Sequence, residues 1–399
     1  MSGFPWGGSE YLWSMTAIEA LHDRHSVSFS MPDWAEQSHP TVNQLVQQGA
    51  QFFPRSRQPQ SLVDRALNKV RQIRPIKVLE ACFPESLDAV RSTYRPIFAN
   101  QPDIICVSQG TSYEAAAIPE LAELLLTTTI PYVLVCHFNS DVWLLDEQWR
   151  STARKLFEKA TAIAFVSEHN LKSAERHLAY RLNDAVVLQN PVNLSHDEIV
   201  PWVETTPISF ATVARLETFF KGQDVLFEAL SAPEWRSRLW QCQLYGAGPD
   251  RAYLESLADC YGIRDRICFK GHVADVRSIW ADNQMLVLPS KGEGTPLALI
   301  EAMICGRPAI VTNVGGNAEW IEEGKTGFVA EAPTAIALKA ALERAWQHQQ
   351  HWQTMGMKAH QIALQRRDRT PAQSLLNFIL EAMPHRFALS DSQFTLSKP

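Results

Sequence analysis

Two carboxylates and a loop with two glycines occur close together in the stretch 284–307. Glu293 lies in the loop Pro289–Gly294, and Glu301 follows eight positions later. Thr295 and Pro296 predict a helix start, because threonine is a common N-cap and proline fits the first helical position. The free amides of a first helical turn favour an anion such as phosphate, and carboxylates accept hydrogen bonds from sugar hydroxyls. The residues therefore predict a site for a phosphorylated sugar or a nucleotide sugar.

The flanking segments place this loop in a strand–loop–helix–strand unit. Met285–Leu288 is an apolar run of strand length, and Gly306, which is followed by Arg307 and Pro308, ends the predicted helix. Ala309–Thr312 is the next predicted strand. Glu293 is thus expected at the positive end of a helix, and Glu301 on the second turn of that helix.

The segment GEGTPLALIEAMICGRPAIVTNVGGNAEWIEEGKTGFV resembles the nucleotide-sugar site of the retaining glycosyltransferase family 4, which has the GT-B fold. The similarity runs from about Ile208 to Val329 and is weaker over 6–192. It implies that Glu293 orients the donor sugar beside the reacting centre and that Glu301 binds the ribose hydroxyls. It also implies retention of anomeric configuration. The residues that it places on the donor diphosphate are Gly294, Thr295, Pro296 and Leu297.

Two cations and one histidine extend the predicted site. Arg215 and Lys221 follow the predicted strand Ile208–Val213, and the resembled family uses such a pair to hold the donor diphosphate. Preorganised cations stabilise the charge that develops on a leaving nucleoside diphosphate. His137 follows the predicted strand Pro131–Cys136, at the sheet edge where open α/β sheets bind ligands. The resemblance implies that His137 contacts the donor sugar.

Other site residues follow from the resemblance alone. His272 and Val273 match a segment that faces the nucleobase, and Gly8 matches a diglycine loop whose backbone approaches the donor diphosphate or the acceptor. Glu319, near Gly315 and Gly316, is interpreted as a supporting acid, because nothing local gives it a chemical task.

The first residues depart from the family pattern. Ser9 is predicted to cap a helix over Tyr11–Leu21, but no strand precedes the diglycine, whereas the family has its first central strand there. Either the sequence starts about ten residues late or the domain has lost that strand. The first alternative is favoured, because an unfilled position in a parallel sheet would expose apolar surface.

Composition limits the function classes. The 399 residues allow two or three domains, and a net charge of −6 argues against a general nucleic-acid binder. No apolar run approaches the roughly 18 residues of a membrane span. Seven scattered cysteines are typical of reduced core residues, which predicts a cytoplasmic location.

Predicted strands alternate with predicted helices, which indicates parallel βαβ winding. Together with the resemblance, this predicts a GT-B protein: two Rossmann-like, doubly wound domains that face each other across a cleft. The predicted domains are 1–200 on the acceptor side, 201–371 for the nucleotide sugar, and 372–399 as a helix crossing back to the first domain, with a tail. The segment Asn190–Pro207, rich in turn formers and acids, is the predicted linker. The remaining predicted strands are Ser26–Met31, Ile76–Leu79, Asp103–Val107, Ala162–Val166 and Val186–Gln189.

The predicted activity is transfer of a sugar from a UDP-, GDP- or ADP-sugar to a glycan or lipid-linked acceptor. No Asp-x-Asp occurs in the sequence, so a metal-carboxylate clamp is not expected, and Arg215 and Lys221 are predicted to act without a metal or other cofactor. Two alternatives stay open: an acceptor-independent hydrolase or epimerase of nucleotide sugars, and a non-catalytic nucleotide-sugar-binding partner of another transferase.

One basic segment is not explained by the donor site. Pro54–Leu79 holds seven Lys and Arg against one Asp, and its apolar residues between 62 and 73 fall at helical spacing. This pattern is typical of a domain helix with a solvated basic face. A second hypothesis is a peripheral contact between the helix near residues 60–74 and an anionic membrane on its inner face.

Overall fold

The computed structural model describes residues 6–32, 39–55, 94–143, 145–204 and 206–383. The strands of these ranges are β1 Ser28–Pro32, β2 Gln51–Arg55, β3 Ile105–Gln109, β4 Tyr132–Cys136, β5 Ala162–Phe165, β6 Val186–Val187, β7 Ile208–Val213, β8 Trp240–Tyr245, β9 Ile267–Gly271, β10 Met285–Leu288, β11 Ala309–Thr312 and β12 Gly327–Ala330. The helices are α1 Gly8–His22, α2 Pro40–Gln47, α3 Arg95–Ala99, α4 Glu114–Ala117, α5 Pro119–Thr127, α6 Glu147–Lys159, α7 Glu168–Leu178, α8 Thr218–Lys221, α9 Gln223–Leu230, α10 Pro233–Arg236, α11 Arg251–Cys260, α12 Val276–Asp282, α13 Leu297–Ile304, α14 Asn317–Trp320, α15 Ala335–Gln347, α16 Trp352–Arg366 and α17 Pro371–Glu381.

The C-terminal domain is built on one parallel sheet. Its strand order is β12-β11-β10-β7-β8-β9, so the chain winds outward from β7 in one direction and then returns to wind outward in the other. Buried apolar clusters cover both faces: one includes Phe210, Trp235 and Trp352, and the other Leu286, Met303 and further residues of α13. Strands covered on both faces read as continuous apolar runs, which is why β7, β10 and β11 have the predicted bounds.

The segment between the domains is fixed to the C-terminal sheet by one arginine. The side chain of Arg307 is fully buried, and its guanidinium donates to the carbonyl oxygens of Asn283, Val200 and Pro201 at 2.9, 2.9 and 2.7 Å. A buried arginine is stable only when such acceptors surround it. The second half of the predicted linker Asn190–Pro207 is therefore held by a residue that directly follows Gly306.

The N-terminal domain has two parallel sheets in its described residues. One pairs β1 with β2, and the other has the order β3-β4-β5-β6. A cavity of about 1080 Å³ lies between the sheets and is lined by residues of β1 and β3, including Met31 and Val107. Within the described residues β1 pairs only with β2, and β3 pairs only with β4. The cavity thus occupies the place where a central strand would join the two sheets.

The first helix begins differently from the prediction. It starts at Gly8 after an N-cap Gly7, whose amide donates to the Glu10 carboxylate at 3.0 Å. Ser9 lies inside the helix and donates to Glu10, so the prediction that Ser9 caps the helix is wrong. No described residue ahead of α1 forms a strand, and the idea that the sequence starts late stays a prediction.

The last helix packs on the first domain. Thr16 Oγ1 in α1 donates to the carbonyl of Ala372 in α17 at 3.2 Å, and Leu375 shares a buried cluster with Leu12 and Val135. The helix α17 therefore packs against α1. No helix of the described ranges is long and apolar enough to cross a membrane. The predicted strand Ile76–Leu79, the basic helix near 60–74 and the tail from 384 lie outside the described residues.

Candidate functional site

Two loops of the C-terminal domain meet where the winding direction of its sheet reverses. β7 and β10 are neighbours in the sheet, and each begins one of the two directions of winding. Arg215 follows β7, and the loop Pro289–Gly294 follows β10. Open α/β sheets bind ligands in the crevice at such a switch point, outside the carboxyl ends of the strands. The topology therefore brings the predicted cations and the predicted acid to one edge of the sheet.

Glycines allow these loops to approach each other closely. Gly222 has φ +62°, and a Cβ at this position would lie 2.0 Å from the carbonyl oxygen of Pro289. Gly315 has φ +49°, and a Cβ there would lie 2.2 Å from the carbonyl oxygen of Glu293. Both contacts involve backbone, so a side chain could be accommodated only if a loop moved. The glycines thus allow the close approach of the loops that carry Lys221 and Glu293.

Glu293 and Lys221 form an ion pair in this site. Lys221 Nζ lies 2.8 Å from Glu293 Oε1, and Ser290 Oγ donates to the same oxygen at 2.7 Å. Glu293 is 8% exposed. A lysine within reach of both a carboxylate and an incoming diphosphate can exchange one anion for the other. The acid and one half of the predicted clamp therefore belong to one hydrogen-bonded group.

Arg215 has an unused donor at this edge. Its Nε is buried and has no hydrogen-bond partner in the described part of the chain. Its backbone oxygen, in contrast, is held by the Gln223 side chain at 2.7 Å and by the Glu217 amide at 2.9 Å. The backbone is fixed while the guanidinium keeps a donor free, which suits a residue whose acceptor is a ligand oxygen.

The helix after the glycine loop begins one residue later than predicted. α13 starts at Leu297 with Pro296 as the N-cap, which makes no side-chain cap. Thr295 Oγ1 instead donates to the carbonyl of Val166 in the N-terminal domain at 3.0 Å. The prediction that Thr295 caps this helix with Pro296 at its first position is therefore wrong, because a contact between the domains takes the hydroxyl. The Leu297 amide bonds to the Thr295 carbonyl at 2.9 Å, so one first-turn amide is already used.

The N-terminal domain meets this loop through the residues after β4. Asn139 and Glu293 form an isolated antiparallel backbone bridge, and Asn170 Nδ2 donates to the Glu293 carbonyl at 3.1 Å. A Cβ at Gly294 would lie 2.0 Å from the carbonyl oxygen of His137. The backbone of His137 thus lies directly against the loop that carries Glu293, as the two predicted catalytic residues require.

His137 itself is a buried, neutral imidazole. It is 6% exposed, and burial lowers its pKa to about 4. Its Nε2 lies 3.0 Å from Ser108 Oγ, and its Nδ1 is buried without a hydrogen-bond partner in the described residues. Burial thus favours the neutral ring, which has one hydrogen-bond donor and one acceptor.

Gly8 also lies at the boundary between the domains. A Cβ at Gly8 would lie 2.8 Å from Leu297 Cδ1 and 3.4 Å from Asn190 Nδ2. Gly8 lies at the start of α1 and Leu297 at the start of α13. The fold thus brings together two residues that are far apart in the sequence. Whether either touches a diphosphate stays a prediction.

Glu301 is buried on the second turn of α13, behind the loop Pro289–Gly294. It is 6% exposed, burial raises its pKa from 4.5 to about 8, and the Asn193 amide donates to Oε1 at 3.3 Å. A carboxyl group buried with one hydrogen bond holds its proton more tightly than in water. Ribose hydroxyls would supply donors that the carboxylate lacks here.

This burial makes a prediction about stability. Between about pH 4.5 and about pH 8 the unfolded chain releases the Glu301 proton while the folded chain keeps it, so the folded state loses stability as pH rises. Glu301→Gln removes that loss. The difference in Tm between Glu301→Gln and wild type should therefore increase from pH 6 to pH 9 in thermal unfolding. The exposed Glu331→Gln is the control, and a difference that is independent of pH would contradict a buried protonated acid.

The predicted base-proximal residues follow β9. His272 is exposed, while Val273 packs beside the cluster of α13 and β11. β9 ends at Gly271, whose carbonyl accepts from the Gly246 amide at 2.8 Å. His272 and Val273 follow β9, which is separated from β10 in the sheet by β7 and β8. Their contact with a base stays a prediction.

Sequence reasoning missed residues that act between the domains. Glu319 Oε1 accepts from the His169 amide at 2.8 Å, so this acid holds the first turn of α7 rather than a ligand. His169 in turn pairs with Asp141 at 2.7 Å, a bond that raises the pKa of His169 and holds the pKa of Asp141 at about 2. No local signal marks these contacts, because the partners are 28 and 150 residues apart. The described residues contain no cluster of three His, Cys, Asp or Glu placed to hold a metal.

The part of the chain that carries this site is similar to known proteins. Residues 207–348 match the family model described as glycosyl transferases group 1. The chain is similar to alpha-D-kanosaminyltransferase of Streptomyces kanamyceticus, at 32% identity over 126 residues, which cover 31% of this chain and 33% of the relative. It is also similar to D-rhamnosyltransferase WbpZ of Pseudomonas aeruginosa, at 27% identity over 163 residues, or 40% and 41% of the two chains. The matched part thus spans a third to two fifths of the length of these relatives.

The similarity in structure extends over nearly the whole chain. The crystal structure of Anabaena Alr3699/HepE in complex with UDP superposes with a TM-score of 0.65 at 19% identity, and the match covers 96% of this chain and 98% of that one. Such a likeness shows the fold, and it confirms the predicted GT-B arrangement of two α/β domains. Residues 207–348 thus match the glycosyl transferases group 1 model, and the chain as a whole has the GT-B fold.

Proposed function

We propose that this protein is a retaining glycosyltransferase of family 4 that moves a sugar from a nucleoside-diphosphate sugar to a glycan or lipid-linked acceptor. One observation carries the proposal: Lys221 and Glu293 form an ion pair at the switch point of the C-terminal sheet, and the loop of Glu293 lies directly against the backbone of His137 in the other domain. A site on one domain alone would suffice for binding. A site that both domains complete suits a reaction between two substrates.

The proposed role of each residue follows from its charge. Arg215 and Lys221 hold the diphosphate and stabilise the negative charge that it gains as the glycosidic bond breaks. Glu293 orients the donor sugar, and Lys221 leaves its ion pair with Glu293 as the diphosphate arrives. Glu301 accepts from the ribose hydroxyls. Gly294 and Leu297 bring backbone and side chain against the diphosphate, while the first domain supplies His137 and the acceptor surface.

One experiment separates this proposal from its two alternatives. A panel of UDP-, GDP- and ADP-sugars is screened by thermal shift, starting with uridine nucleotides because HepE was crystallised with UDP. Consumption of the sugar that stabilises most is then measured with and without a mixture of glycan and polyprenyl-phosphate-linked acceptors. Acceptor-dependent consumption supports the transferase. Consumption without acceptor indicates a hydrolase or epimerase, and binding without consumption indicates a non-catalytic partner.

Metal independence is a separate prediction. A clamp of Arg215 and Lys221 already provides two positive charges for the diphosphate, and the sequence has no Asp-x-Asp to hold a divalent cation there. EDTA should therefore leave the initial rate unchanged. Loss of activity with EDTA that Mn²⁺ restores would contradict this prediction.

Membrane contact through the basic helix near residues 60–74 remains a prediction from sequence. The net charge of +6 over Pro54–Leu79, seven basic residues less one acid, should draw the protein to anionic vesicles, and salt should weaken binding. Co-sedimentation with phosphatidylglycerol vesicles measures this. Binding should drop when Arg65, Lys69 and Arg74 become Gln, and should persist when Arg236, Arg251 and Lys339 become Gln instead. Equal loss in both triple variants would leave the basic face without a specific role. The cytoplasmic location likewise stays a prediction.

A further inference from the structure

His137 has two polar neighbours. Ser108, near the end of β3, places Oγ 3.0 Å from Nε2. The carboxamide of Asn190, the first residue of the predicted linker, also interacts with the imidazole and raises its pKa, whereas burial lowers it. The histidine therefore has a hydroxyl and an amide as neighbours, and the two come from different parts of the chain.

Asn190 and His137 each have a buried polar atom that lacks a hydrogen-bond partner in the described residues. Asn190 is 8% exposed, and neither its Oδ1 nor His137 Nδ1 has a well-aligned hydrogen-bond partner in the described residues. Two buried polar atoms without partners cost free energy, and they satisfy each other if Nδ1 carries the proton and Oδ1 accepts it. Catalytic hydrogen bonds are often long in the absence of substrate and shorten in the complex.

The same amide touches the start of the first helix. Asn190 Nδ2 lies 3.4 Å from the position that a Cβ would take at Gly8, and Leu297 of the second domain lies 2.8 Å from that position. A shift of Asn190 would therefore be limited by Gly8 and Leu297 together. The carboxamide of Asn190 thus lies at the boundary between the domains, as does the proposed donor site.

We propose that Ser108 and Asn190 are positioning residues that hold the His137 imidazole in one tautomer. Asn190 Oδ1 accepts from Nδ1–H, and Ser108 Oγ–H donates to Nε2. This arrangement uses the ring's one donor and one acceptor, and so fixes both its rotation and the site of its proton. Its consequence for sugar transfer rests on the proposed function, whereas the tautomer itself does not.

The test measures the ring directly. Long-range ¹H–¹⁵N spectra of ¹⁵N-histidine-labelled protein at pH 7 identify the His137 signal by its loss in His137→Gln. The wild type should show the Nδ1–H tautomer. Asn190→Leu, which keeps the volume and removes the acceptor, should shift the ring to Nε2–H or to a mixture. Asn190→Asp keeps an acceptor oxygen and should keep the proton on Nδ1.

Ser108 offers a matched pair of variants. Ser108→Thr retains the hydroxyl and should preserve the wild-type tautomer, whereas Ser108→Ala should not. With an identified donor, Asn190→Leu and Ser108→Ala should each lower kcat by about tenfold, the effect of one net hydrogen bond, with little change in donor KM. A wild-type ring in the Nε2–H form, or one that Asn190→Leu leaves unchanged, would overturn the proposal. Absence of transferase activity with the expected spectra would refute the proposed function alone.

Discussion

Arg215→Ala and Lys221→Ala should each lower kcat/KM by roughly 30- to 900-fold, which corresponds to about 2–4 kcal/mol of transition-state stabilisation. Both side chains are expected to act on the diphosphate as it becomes more negative, and a positive charge placed there in advance costs no reorganisation during the reaction. The fold should survive, since neither side chain belongs to a buried apolar cluster.

The two variants should nevertheless differ in one respect. Lys221 pairs with Glu293 at 2.8 Å, so its removal also leaves a nearly buried carboxylate without its cation, whereas the Arg215 Nε has no hydrogen-bond partner among the residues that the structure describes. Glu293→Gln added to Lys221→Ala should therefore cost less than the sum of the two single effects, and added to Arg215→Ala it should be closer to additive.

Steady-state kinetics of the single and double variants measures this coupling. Arg251→Ala and Lys339→Ala are the controls, because they remove one arginine and one lysine that pair with surface acids of the same domain. Near-normal kcat/KM in either clamp variant would remove that residue from the site. Additive losses with Lys221 would show that its ion pair with Glu293 has no part in the reaction.

Much of the C-terminal domain could be predicted from sequence because its signals are local. The apolar runs of β7, β10 and β11 and the terminal Gly306 have the predicted bounds, since a strand buried on both faces needs only its own residues to be recognised. The same holds for the loop that carries Glu293. Its place at a switch point depends on the strand order, which the alternation of strands and helices does not give.

The boundary between the domains could not be predicted in this way. Thr295 has the local pattern of a helix cap, but its hydroxyl bonds to Val166, 129 residues away. Glu319 has no local task and bonds to the His169 amide of the other domain. Asn190 is a turn former in a linker by sequence and a neighbour of His137 by structure. For each of these residues, a contact with a part of the chain that is distant in sequence overrides the local preference or adds to it. Such a contact can be seen only when the two domains are packed together.

Gly294→Ala should separate this docking from the binding of the donor. The new Cβ would lie 2.0 Å from the His137 carbonyl oxygen and 3.2 Å from Val166 Cγ2. A backbone atom cannot rotate away, so the loop must withdraw from the first domain and carry Glu293 with it, at the expense of the bridge to Asn139. Displacement of a catalytic group by about 1 Å can cost on the order of 100-fold in rate, and we expect a loss of that size in kcat.

Donor binding should weaken, because Gly294 is itself proposed to lie against the diphosphate, but it should be affected less than the rate. Arg215, Lys221 and Glu301 all lie on the C-terminal domain, so the donor that stabilises the wild type should still raise the Tm of Gly294→Ala. Gly324→Ala is the control for stability: its φ of +70° disfavours alanine, but no atom lies within 4 Å of the added Cβ. It should lower Tm and leave kcat unchanged. If Gly294→Ala keeps a normal kcat, the contact between Gly294 and His137 is not needed for the reaction, and the site works from one domain alone.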